Sequence, residues 1–158
     1  MLDINKEEVD FLVTDNMVKE VEEVMERDFP KIDDIVDEMI KREIERVYFV
    51  ACGSPLCACD TAKNIFDKYS DIPCQTYSGQ DFLDHPPFKL DQKCLVVAVS
   101  DSGETEEVAD SLNKAGEKGA LTVAFSKKPQ GTLLSEIPEY LIAYQADCIW
   151  EVHLLLTY

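Results

Sequence analysis

Ser100, Ser102 and Thr105 place three hydroxyls in the short pattern S-x-S-G-x-T. They follow an apolar run, LVVAV (Leu95–Val99), and lead into an acidic helical pattern containing Glu104, Glu106 and Glu107. A strand-to-helix turn of this kind gathers hydroxyls and unpaired backbone N–H groups at a helix N-terminus, where the helix dipole favours an anion. Gly103 lets a ligand approach the backbone closely, and the N–H groups from Ser102 to Thr105 are expected to point out of the helix start. A tetrahedral dianion has enough oxygens to accept from all of these donors. The segment from Leu95 to Glu107 contains no Lys or Arg, so helix geometry and hydroxyls must do the local work. The same residues admit a plainer reading, in which Ser102 and Thr105 cap the helix and the glutamates complement its dipole. A second Gly/Ser turn, Gly53–Ser54 after VYFVAC, adds weight to anion binding.

Other chemistries lack their residues. There is no G-x-G-x-x-G and no GxxxxGK[ST], which argues against a nucleotide cofactor. No HExxH and no paired CxxC occurs, and the chain has only two histidines, so no metal or cofactor is expected. His85, in DHPPF, reads as an exposed loop residue, and His153, in EVHLLL, as a packed or interface histidine. No catalytic residue is assigned. Cys57 and Cys59 in PLCACD could chelate a soft ligand, but packing at a helix start is the better reading. Cys52, Cys74, Cys94 and Cys148 fall in or beside apolar strand-like runs, where buried free thiols are common. The opening MLDINKEEVD has no basic n-region, so a reducing cytoplasm is the expected compartment. With Lys+Arg 15 against Asp+Glu 32, the net charge of −17 argues against nucleic acid or an anionic membrane as partner. No apolar run approaches the roughly 20 residues of a membrane helix.

The two turns need a frame to hold them. At 158 residues and 46% hydrophobic content the chain fits one compact domain with a substantial core. EVDFLVTDNMVKEVEEVMERDF and KIDDIVDEMIKREIERV read as two amphipathic helices separated by Pro30, which suits a first helical turn. The charges of Lys6–Arg27 are expected on a solvated face. Strands are expected at Val47–Cys52, Cys74–Ser78, Lys93–Ser100, Ala120–Ser126 and Glu139–Gln145. Helices are expected from Gly53 to about Tyr69 and over Glu104–Lys118, the second ended by Gly119, with another starting in Cys148–Tyr158. This alternation gives an α/β fold, a parallel sheet with helices on both faces. Ligands of such sheets bind beyond the carboxyl ends of the strands, so the two turns can line one pocket. The ending IWEVHLLLTY is apolar and uncapped. It suggests a piece of a longer protein cut as a helix begins, or else a short protein whose terminal helix docks on a dimer partner; exposed apolar helix there argues against a free monomer.

YFVACGSPLCACDTAKNIF, VAVSDSGETEEV and YQADCIWEVHLLL together resemble the sugar isomerase (SIS) domain, a phosphosugar-binding fold. Within it, the opening LDINKEEVDFLVTDNMVKEVEEV with the FVACGSPL, SDSGETEEV and ADCIWEVHLLL motifs is most similar to fructosamine-6-phosphate deglycases of the fructoselysine-6-phosphate type. The resemblance runs the length of the chain. It implies a three-layer, flavodoxin-like sandwich with about five parallel strands over residues 47–158, preceded by a helical segment at 1–46 and followed by a second SIS domain. Ser100, Ser102 and Thr105 match the family's phosphate-gripping hydroxyls, with backbone from Asp101 and Gly103 nearby, and Gly53 and Ser54 match the turn that faces the sugar. Two residues depart from the synthase-type motif. Pro55 replaces a small hydroxyl residue, and Asp101 stands where Gln is common, so its carboxylate must turn away from a phosphate. The implied reaction splits a 6-phosphorylated fructosamine into glucose 6-phosphate and an amine, in a homodimer or larger assembly. It uses a Glu and a His of the second domain, roles not transferred to Glu151 or His153. An aldose–ketose isomerase and a non-catalytic phosphosugar sensor share the fold; the absence of a helix-turn-helix pattern or a basic face counts against a regulator.

Overall fold

The computed structural model describes residues 17–144 and 150–158. Its first half runs α1 (Met17–Lys41), β1 (Arg46–Ala51), α2 (Ser54–Tyr69), β2 (Cys74–Ser78) and α3 (Gly79–Asp84). Its second half runs β3 (Cys94–Val99), α4 (Glu106–Glu117), β4 (Leu121–Ser126), β5 (Tyr140–Ala143) and α5 (Trp150–Thr157). Successive strand side chains point to opposite faces. Val47 and Phe49 of β1 join one apolar cluster with Leu95, Val97, Val123 and Phe125, while Tyr48 and Val50 join a second with Val96, Ala98 and Ala124. Every residue of β3 and β4 is buried, as a sheet covered on both faces requires. Helices α1, α2 and α5 supply the first cluster, and α3 and α4 the second. The result is the expected three-layer α/β sandwich.

The sheet has five strands in the order β2-β1-β3-β4-β5, all parallel. Chain direction across the sheet reverses between β1 and β3, which makes their carboxyl ends the topological switch point. Ala51 pairs with Val99 there, so the residues that follow both strands emerge side by side.

Three local expectations change. α1 is one helix rather than two, with Pro30 inside it. Proline removes the N–H that would bond the Glu26 carbonyl, but both residues lie on the exposed side of α1, where water can replace that bond. The part of the charged face that precedes Met17 lies outside the described residues. Secondly, α3 is a short helix absent from the expected elements. Ser78 caps it, its Oγ accepting from the Asp81 N–H at 3.1 Å. Thirdly, α5 is not a bare apolar helix. Val152 and Leu155 are buried in the core, and the Tyr158 ring stacks on Phe29 at 3.6 Å. Among the described residues of this ending, Val152, Leu154, Leu155 and Leu156 all pack into the domain core.

A charged cluster fixes α1 to α5. Asp28, fully buried, accepts from Arg27 at 2.6 Å and from Lys31 at 2.7 Å, and Arg27 also donates to buried Glu151 at 2.9 Å. Buried carboxylates persist only when paired in this way. Among the described residues no helix is long and apolar enough to cross a membrane.

Candidate functional site

The chain leaves β1 through Cys52 and Gly53. Gly53 adopts φ 65°, ψ −137°, a conformation that side chains disfavour, and turns the backbone sharply into α2. Pro55 follows in the first helical turn, where its missing N–H is harmless. The chain leaves β3 through Ser100–Thr105, with extended Thr105 as the N-cap of α4. Between these two turns lies an open cleft of about 290 Å³, lined by Cys52, Gly53, Ser54, Pro55, Ser100, Asp101, Ser102 and Thr105.

The turn after β3 is bonded within itself. The Ser100 and Thr105 hydroxyls pair at 2.9 Å, and the Gly103 N–H donates to the Ser100 carbonyl at 3.1 Å and to its Oγ at 3.2 Å. Ser102 Oγ accepts from the Glu104 N–H at 3.1 Å. The Gly103 and Glu104 N–H groups are therefore engaged inside the turn, which corrects the expectation that the whole run from Ser102 to Thr105 points outward. Ser102 does serve the turn locally. Thr105 makes no side-chain cap bond, and its hydroxyl pairs with that of Ser100 instead.

Of the residues singled out in the sequence, Gly53, Ser54, Ser100, Asp101, Ser102 and Thr105 line the cleft, and Gly103 does not. Gly103, at φ 71°, is small for an internal reason: a Cβ there would fall 2.5 Å from Thr132 Oγ1. The loop around Thr132 packs under the turn, and the Leu134 N–H donates to the Gly103 carbonyl at 3.0 Å. The close approach expected from a ligand is made by the chain itself.

Asp101 brings in residues that sequence reasoning did not find. The Tyr144 hydroxyl donates to its Oδ1, and Lys127 Nζ lies 3.3 Å from its Oδ2. Tyr144 follows β5 and Lys127 follows β4, so both arrive at the same sheet edge as the cleft. Burial, then the bond to Asp101, pushes the Tyr144 phenol well above its usual range, so it remains a neutral donor. A cation does reach the turn through the fold, but it is committed to Asp101.

Cys52 is a half-buried thiol at the cleft rather than a fully buried strand residue. Cys59, Cys74 and Cys94 are buried and free, whereas Cys57 is exposed; Cys148 lies outside the described residues. Burial, then Asp60, pushes the Cys59 thiol up to about 12, which makes it unreactive near neutrality. His85 is exposed at the end of α3, and His153 is half-buried on α5; neither lines the cleft. Hydroxyl donors above a helix start, with the neighbouring carboxylate already paired to Tyr144 and Lys127, suit a small tetrahedral anion.

Comparison with known proteins gives a consistent picture. The SIS domain family matches residues 40–143. Over 158 residues the chain is 54% identical to the fructoselysine 6-phosphate deglycase of Escherichia coli (strain K12), covering 100% of this chain and 46% of that protein. The chain thus spans about half the length of this curated relative. A Bacillus subtilis crystal structure, provisionally designated a phosphosugar isomerase, superposes with a TM-score of 0.66 at 31% identity, over 72% of this chain and 37% of that one. The Vibrio vulnificus NanR protein, complexed with ManNAc-6P, shares the fold with a TM-score of 0.68 at 16% identity, over 89% of this chain and 55% of that one.

Proposed function

Because the chain belongs to the SIS domain family, we propose that it is the phosphosugar-binding domain of a cytoplasmic fructosamine-6-phosphate deglycase. The observation that carries this reading is the hydroxyl-lined cleft where the turns after β1 and β3 meet at the switch point. Ser100, Ser102 and Thr105 hold the phosphate, and Gly53 and Ser54 face the sugar. Residues 47–158 form the domain, α1 packs against it, and a second SIS domain completes the enzyme.

The proposed reaction converts fructoselysine 6-phosphate to glucose 6-phosphate and lysine. A proton moves between C1 and C2 of the open-chain sugar, and water then hydrolyses the imine. Both steps need an acid–base group near C1 and C2. Glu151 is buried against Arg27 and does not line the cleft, which supports leaving that role to residues outside this chain. This domain grips the substrate's phosphate. Assembly as a homodimer or larger homo-oligomer is supported by apolar side chains left exposed on α1 and α2, among them Ile40 at 70% and Tyr69 at 76%.

Calorimetric titration with glucose 6-phosphate tests the binding role. Ser102→Ala and Thr105→Ala should each weaken binding by about 1.5–3 kcal/mol, the loss expected for a hydrogen bond to a charged group. Unchanged affinity in folded variants would refute the assignment. Incubation of the complete protein with fructoselysine 6-phosphate tests the reaction, with release of free lysine as the expected result. Sugar interconversion without amine release would favour a phosphosugar isomerase, the second reading, which the Bacillus subtilis neighbour supports. Binding without turnover by the complete protein would favour a sensor.

A further inference from the structure

An aspartate between two hydroxyl residues in an anion-binding turn is a liability. Asp side chains readily accept from backbone N–H groups and hydroxyls a few residues along the chain, so the Asp101 carboxylate can occupy the donors a ligand would use. Pointed into the cleft, it would also repel an incoming dianion. Its environment prevents both. Oδ1 accepts from Tyr144, which is only 1% exposed, and Oδ2 pairs with Lys127 at 3.3 Å. Both partners are themselves anchored by backbone bonds. The Tyr144 N–H donates to the Ser126 carbonyl at 3.0 Å, and the Lys127 N–H to the Asp101 carbonyl at 3.2 Å. The ends of β3, β4 and β5 are thereby tied together through one carboxylate. We propose that Tyr144 and Lys127 are positioning residues for the anion site: they draw the Asp101 carboxylate toward β5 and leave the turn's donors to the ligand. This inference rests on the phosphosugar reading and adds to it two residues that touch no substrate.

The test is a double-mutant cycle read by calorimetry with glucose 6-phosphate, and with inorganic phosphate as a second probe. Tyr144→Phe should weaken binding on the order of tenfold, the size expected for a carboxylate freed near a dianion at a protein surface. Adding Asp101→Asn should restore most of the lost affinity, because the charge Tyr144 restrains is gone. Lys127→Met should behave in the same way, and it carries the test if Tyr144→Phe does not fold by circular dichroism. An equal loss with and without the Asp101→Asn substitution would mean that these side chains act through packing and would overturn the proposal. No loss in either single variant would overturn it as well. If the unaltered protein binds neither probe, the phosphosugar reading itself fails and this inference falls with it; if it binds and the cycle shows no coupling, only the positioning role fails.

Discussion

Gly53 and Gly103 both hold a positive φ, yet replacing them should have different effects. No atom beyond its chain neighbours lies within 4 Å of a Cβ built on Gly53, so Gly53→Ala should cost only its backbone strain, about 1–3 kcal/mol. At Gly103 the methyl would meet the buried, β-branched Thr132 at 2.5 Å, adding an overpacking cost of about 1–3 kcal/mol. Urea denaturation should rank Gly103→Ala as the more damaging change, with partial recovery on adding Thr132→Ala. Equal losses would show that the Thr132 contact relaxes freely. The spacing S-x-S-G-x-T was enough to locate Ser100, Ser102 and Thr105 because all of them lie in one turn. It did not show why Gly103 is a glycine, since Thr132 is distant in sequence and KKPQGTLLSE carries no local sign that it packs there. Tyr144 and Lys127 escaped for the same reason. The demand was visible, in an aspartate that had to turn aside, but the groups that meet it come from other strands.

Pro30 tests how far a local rule reaches at the scale of an element. Proline reads as a boundary because it lacks an N–H and its ring crowds the preceding turn. Here tertiary packing prevails: Val24 and Ile35, on either side of Pro30, are both buried in the same cluster, and the buried Asp28 cluster lies between them. An uninterrupted helix keeps all three aligned. Pro30→Ala should therefore raise stability, by about 1–3 kcal/mol from the regained hydrogen bond and better helix propensity. Chemical denaturation checks this, and a clear loss of stability would indicate that the proline sets a bend α1 needs. β1, β3, β4 and β5 were readable because each carries an apolar run between turn residues, and β2 lies at Cys74–Ser78, where the more polar CQTYS was expected to form a strand. α3 was not readable, since six residues are too few for a helical period to emerge from GQDFLD. Its cap, Ser78 with Asp81 three residues on, was the available signal.

The molecule as a whole opposes the ligand its turn would hold. A net charge of −17 surrounds the cleft with a repulsive field for any dianion. Salt screens that distant repulsion more than it weakens short hydrogen bonds inside the turn. Affinity for glucose 6-phosphate should accordingly rise by about two- to fivefold between low salt and physiological ionic strength. A steady fall on isothermal titration would mean that local cations, Lys127 foremost, dominate binding. The alternation of strands and helices made the layered architecture legible, and the sheet edge that carries the cleft followed from it. The strand order itself is set by packing between distant segments, which no single window of sequence displays. At that edge, the Ser100–Thr105 hydroxyl pair and the internally bonded Gly103 and Glu104 N–H groups are contacts of the chain with itself. The conformational entropy of ordering this loop is lost when the domain folds, so a sugar phosphate bound at the proposed site would meet a receptor already in shape, and its association would be spared that penalty.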